Sequence, residues 1–138
     1  MLQGYRVYEH AQVNTADRGR LLLMLYEGAI NFLREAERRL RLGDGIKARQ
    51  FQERAFRIIT ELMNTLNHQE GGEIAANLQR LYGFMLRHLA EGNLQQSPQH
   101  YAQVARLLGI LHDAFTRAVA SVARPMPLPR RKVTAGAA

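Results

Sequence analysis

The chain has 138 residues, with 19 Lys plus Arg against 12 Asp plus Glu for a net charge of +7, five His and no Cys. That length fits one domain able to bury roughly two-thirds of its unfolded surface. The missing cysteine excludes a disulfide framework, a thiolate zinc site and a cysteine nucleophile. No apolar run reaches the ~18 residues of a membrane span, so no membrane insertion is expected.

In chain order, the first segment, 1–14, carries Arg6 and Glu9 and no apolar block, so it is not read as a secretory signal. Tyr5, Val7, Tyr8 and Val13 nevertheless make it too apolar for a free tail. Two readings stay open: permanent docking on the rest of the fold, or a detachable cover over apolar surface.

From Thr15 onward the apolar residues recur at steps of three and four, the stripe of an amphipathic helix. The first series is Leu22, Leu25, Ala29, Phe32 and Ala36, and the second Ala48, Phe51, Ala55, Ile58, Leu62 and Leu66. Ile74, Leu78, Leu81, Met85 and Leu89 form the third, and Tyr101, Val104, Leu108, Leu111, Phe115, Ala118 and Val122 the fourth. Thr15 can cap the first helix, and Gly43-Asp44-Gly45 separates it from the next. The Gly71-Gly72 pair ends the second connection, Gly92-Asn93 ends the third helix, and Ser97-Pro98 opens the fourth. Helices are therefore expected at about 16–42, 46–67, 72–91 and 98–122. Short connections make successive helices antiparallel. The expected fold is all-α, an antiparallel up-down four-helix bundle. The remaining segment, 124–138, holds three prolines and four basic residues with no acid, and reads as a disordered tail.

The charge does not build a nucleic-acid face. Without the tail, 15 basic residues stand against 12 acidic ones. Those 15 are interleaved with acids at helical spacing, as in Glu35–Arg39 and Glu53–Arg57, which is the pattern of a solvated face. Nor is there catalytic machinery. No Glu is followed three residues later by His, as a di-iron bundle requires, and there is no HExxH or phosphate-binding loop. His88 and His112 could face one another across the third and fourth helices, but the reading is of partly exposed boundary residues. No enzyme activity, metal or cofactor is expected.

The first helix does carry more apolar surface than a bundle seam needs. On a wheel at 100° per residue, Leu21 to Leu23, Leu25, Tyr26, Ala29, Ile30, Phe32, Leu33 and Ala36 span about 200°, against a little over 100° for a surface helix. Either this helix is buried on most sides, or part of the arc lines a groove for an amphipathic segment of another protein.

Two blocks of residues carry a family resemblance. Tyr8-x3-Gln12-Val13-x-Thr15-Ala16, followed by Leu21-Leu22-Leu23-Met24-Leu25-Tyr26-Glu27-Gly28-Ala29-Ile30, is one. Ile58-Ile59-Thr60-Glu61-Leu62, followed by Gly71-Gly72-Glu73-Ile74-Ala75-Ala76-Asn77-Leu78-x2-Leu81-Tyr82, is the other. In this order and spacing the chain resembles the flagellar secretion chaperone FliS family from residue 8 to about residue 119. Asp17-Arg18-Gly19-Arg20 departs from the family, which often has a small residue or proline and then an acid there. The resemblance implies a cytoplasmic bacterial export chaperone that binds the C-terminal segment of flagellin, 1:1. Such a chaperone blocks premature polymerisation and keeps flagellin competent for type III export. Contacts with the export gate and with flagellar regulatory proteins are further partners it implies. Carried onto this sequence, it places a flagellin groove at Leu22, Leu25, Tyr26, Ala29, Leu62, Leu66, Asn77, Leu78, Leu81 and Tyr82. The lid would be Tyr8, Gln12 and Val13. The competing reading is a generic helical adaptor, or a homo-oligomer that turns the same apolar groove on itself.

Overall fold

The computed structural model describes residues 15–123. The expectations of a lid at 1–14, with Tyr8, Gln12 and Val13, and of a disordered tail at 124–138 lie outside those residues. The fold is all-α, an antiparallel four-helix bundle. Helix α1 is Thr15–Arg41, α2 Gly45–Asn64, α3 His68–Gln95 and α4 Pro98–Ala123.

The connections are set by capping chemistry. Gly43 takes a positive φ of 85°, and Asp44 N–H reaches back to Arg39 O at 2.9 Å, which closes α1. The Asp44 carboxylate then accepts from Lys47 N at 3.1 Å to start α2. Asn67 does the same for α3, accepting from Glu70 N at 3.0 Å. At the far end of α3 the left-handed position falls on Gln96, with Ser97 N–H bonded to Gly92 O at 2.9 Å.

Two expected boundaries differ from the structure. The pair Gly71-Gly72 does not precede α3. The helix starts at His68, and Gly72, at φ 51° and ψ −122°, kinks it from inside. Likewise Gly92-Asn93 does not end α3, which runs on to Gln95. Gly92 is buried, and its missing side chain has another use: a Cβ there would lie 2.5 Å from His100 Cβ.

The described residues fall into two compact units. The larger, Met24–His112, contains the core. Tyr26, Ala29, Leu33 and Ala36 of α1 are fully buried, as are Val104 and Leu108 of α4. From α2 come Ala48, Ala55, Ile59 and Leu62, and from α3 Ala75, Tyr82, Met85 and Leu89. These are one stripe per helix at steps of three and four, each large apolar side chain contributing about 1.5–3 kcal/mol on burial. Cross-helix contacts give the directions. Gly28 approaches Ile58 while Phe32 meets Phe51, so α1 and α2 run oppositely. His88 meets Gln103 while Gly92 meets His100, so α3 and α4 do too. Over the α1–α2 face, the Arg54 guanidinium lies 5.7 Å from the Phe32 ring and 5.1 Å from that of Phe51.

The smaller unit comprises, among the described residues, 15–23 and 113–123. There Gly19 brings the α1 backbone against Val119, whose Cγ2 would be 2.5 Å from an added Cβ. Asp17 pairs with Arg20 at 2.6 Å one turn on.

Candidate functional site

The residues expected to form a groove separate by depth. Tyr26, Ala29, Leu62 and Tyr82 are in the core of the larger unit, each no more than 3% exposed. Leu25, Leu66, Leu78 and Leu81 are half-buried at its surface, and Asn77 is exposed, with its side-chain oxygen accepting from Arg80. Leu22 is half-buried in the smaller unit.

Tyr26 and Tyr82 are brought together. Their hydroxyls hydrogen-bond to each other between α1 and α3. A buried phenol needs such a partner, because an unmatched hydroxyl in the core costs about 1–3 kcal/mol. Burial pushes both phenols above their ordinary pKa, and for Tyr26 the neighbouring Tyr82 adds to the shift.

The broad apolar arc of α1 is divided in the same way. Within the larger unit Tyr26, Ala29, Leu33 and Ala36 face the core, Ile30 and Phe32 are half-buried, and Met24 is 64% exposed. Further apolar side chains reach the surface on α3 and α4: Ile74 at 68%, Phe84 at 41% and Ile110 at 59% exposure. The antiparallel register set by His88–Gln103 brings Phe84 level with Leu107, and Leu81 level with Ile110. These exposed positions escape notice in the sequence because Ile74 and Leu81 belong to the same three-and-four series as the core residue Met85. The helix stripe is wider than the core it serves.

The basic residues are largely self-matched on the helix surfaces. Glu35 pairs with Arg38 at 2.5 Å and Arg39 at 2.7 Å, and Glu37 with Arg34 and Arg41. Hydrogen bonds from Arg38 and Arg39 hold the Glu35 carboxyl down at about 2. Glu53 pairs with Arg49 at 3.3 Å, where Arg57 was the expected partner. The reason is geometric: both lie four residues from Glu53, one turn to either side.

The histidines also differ from expectation. His88 does not face His112. It stacks on His100, ring centroids 4.2 Å apart, while His112 Nε2 lies 2.8 Å from Glu27 Oε2. His88, Glu91 and His100 form a cluster with one potential ligand atom from each within 4.8 Å of the others. The sequence signal for it is His-x-x-Glu, the reverse of the Glu-x-x-His order of di-iron bundles.

An antiparallel helical bundle with large apolar side chains left at its surface defines a binding module, and comparison with known proteins places it more closely. The chain matches the family described as "Flagellar protein FliS" over residues 1–122. It is 32% identical over 117 residues to the flagellar secretion chaperone FliS of Bacillus subtilis, covering 85% of this chain and 86% of the relative. With the flagellar secretion chaperone FliS of Salmonella typhimurium it shares 33% identity over 111 residues, 80% of this chain and 82% of the relative. The counterpart from Campylobacter jejuni is 31% identical over 111 residues, 80% and 87% of the two chains. The protein belongs to the FliS family of flagellar chaperones. Among the described residues, no helix is long and apolar enough to cross a membrane.

Proposed function

We propose that this protein is a cytoplasmic bacterial export chaperone that binds the C-terminal segment of flagellin, one to one. Binding blocks premature polymerisation and keeps the client competent for flagellar type III secretion. The observation that carries the reading is the set of large apolar side chains left at the surface of a chain from this family, above all Ile74, Phe84 and Ile110. A bundle that served only its own stability would not need them, whereas an amphipathic client segment buries its apolar face on such a surface and folds as it binds.

Within this reading the residues have two roles. Leu25, Leu66, Leu78 and Leu81, half-buried, and Asn77, exposed, are reachable by a client, as is Leu22 in its own unit. Tyr26, Ala29, Leu62 and Tyr82 support the surface from beneath. Tyr8, Gln12 and Val13 act as a lid that competes with flagellin for the groove. The export gate and flagellar regulatory proteins are later partners of the loaded or free chaperone.

Titration with a peptide of the flagellin C-terminal segment, followed by light scattering and circular dichroism, tests this. A 1:1 complex with a gain of helix is expected. A stable homodimer that ignores the peptide would replace the chaperone with a self-associating bundle.

A further inference from the structure

We propose that His88, Glu91 and His100 form a binding site for Zn²⁺ at the α3–α4 turn. The argument is independent of the client-binding role and begins with the backbone. His88 and Glu91 are three residues apart on α3 and so share a helix face. His100 belongs to the first turn of α4. It reaches that face because Gly92 has no side chain: a Cβ there would stand 2.5 Å from His100 Cβ and 3.3 Å from Tyr101 Cε1. The left-handed Gln96 and the bond from Ser97 N to Gly92 O turn the chain tightly enough to bring α4 back.

The side chains are already oriented as ligands. Ser97 Oγ donates to Gln99 Oε1 at 3.4 Å and lies 2.7 Å from His100 Nδ1. Its hydrogen thus committed, Oγ accepts the Nδ1–H, which leaves the lone pair of His100 on Nε2. That atom is 3.7 Å from Glu91 Oε1. The His88 ring is held by Gln103 Oε1, 2.5 Å from its Nε2, and is stacked between Phe84 and His100. Partners of this kind fix tautomer and ring orientation at zinc sites.

One ligand atom from each residue lies within 4.8 Å of the other two. Tetrahedral Zn²⁺ with bonds of about 2.1 Å spaces its ligands roughly 3.4 Å apart. The remaining closure is a rotation of the exposed Glu91 side chain and a small tilt of the rings. Two imidazoles and a carboxylate suit Zn²⁺, with water in the fourth position, and do not suit Mg²⁺ or Ca²⁺, which take oxygen ligands. A bound ion would tie the first turn of α4 to the last turns of α3.

The test is isothermal titration of the full, untagged chain with ZnCl₂, with MgCl₂ as comparison, and two-dimensional NMR of the imidazole nitrogens. Uptake of one Zn²⁺ per chain is expected, with shifts on His88 and His100, none on His68 or His112, and no response to Mg²⁺. His100→Ala and Glu91→Gln should each weaken uptake by about tenfold or more, while His68→Ala leaves it unchanged. Because Glu91 is exposed, its variant reports on the ligand without disturbing packing. No uptake, or uptake whose shifts fall on other histidines, overturns the proposal.

Discussion

Tyr26 on α1 and Tyr82 on α3 share a hydrogen bond between their hydroxyls inside the core, 56 residues apart in sequence. Burial raises both pKa values, so the native state holds two phenolic protons that the unfolded chain releases above the usual tyrosine value of 10.0. A raised folded-state pKa gives stability that is complete below pH 10 and falls as pH rises beyond it. Denaturant unfolding should therefore weaken above pH 10 at up to ~1.4 kcal/mol per pH unit for each phenol. Tyr26→Phe with Tyr82→Phe should flatten that limb. At neutral pH each single change should cost about 1–3 kcal/mol and the double change less than their sum.

Leu33→Ala and Ile74→Ser should separate stability from binding. Leu33 is fully buried, and its truncation should cost about 2–5 kcal/mol in denaturant unfolding. Ile74 is 68% exposed, so its change should move stability by no more than ~0.5 kcal/mol. Only the Ile74 variant should weaken flagellin-peptide binding at unchanged stability, as read by calorimetry.

Gly92→Ala should push the first turn of α4 away from α3, since the new methyl overlaps His100 Cβ and the backbone on both sides is helical. A loss of about 1–3 kcal/mol is expected from thermal unfolding. Zn²⁺ uptake should fall with it.

Glu35→Gln should lower stability slightly at neutral pH and not at all in strong acid. The carboxyl is held at about 2, below its ordinary 4.5, by Arg38 and Arg39. Its contribution is complete above pH 4.5 and disappears as pH falls towards 2. Because the group is near the surface, the difference should also shrink in high salt. Thermal unfolding of both forms across that pH range checks the sign.

The four stripes were legible because burial repeats at the helical period, and residues such as Ala55, Ile59 and Leu62 keep it strictly. The ends of α3 were not. A glycine reads as a stop, yet Gly72 permits a kink within the helix and Gly92 permits a close approach, while the left-handed terminus falls on Gln96. Which requirement a glycine meets depends on neighbours remote in sequence. The same holds for the histidines. The stacking of His88 on His100 follows from a turn geometry that their spacing alone does not specify. Among the candidate groove residues, Tyr26 and Leu25 are neighbours on one apolar arc, and only the packed structure distinguishes the buried one from its half-buried neighbour.

The three connections, of two or three residues each, also govern how the chain reaches its fold. Neighbouring helices can pair as hairpins after closing short loops, and such low contact order belongs to domains that fold in microseconds to milliseconds. The α3–α4 hairpin, with His88 only 15 residues from Gln103, can form early. Tyr26–Tyr82 and Glu27–His112, 56 and 85 residues apart, must wait for the first helix to dock. Detachment of α1 is then the expected first step of unfolding, and hydrogen exchange should find its amides opening before those of the hairpin.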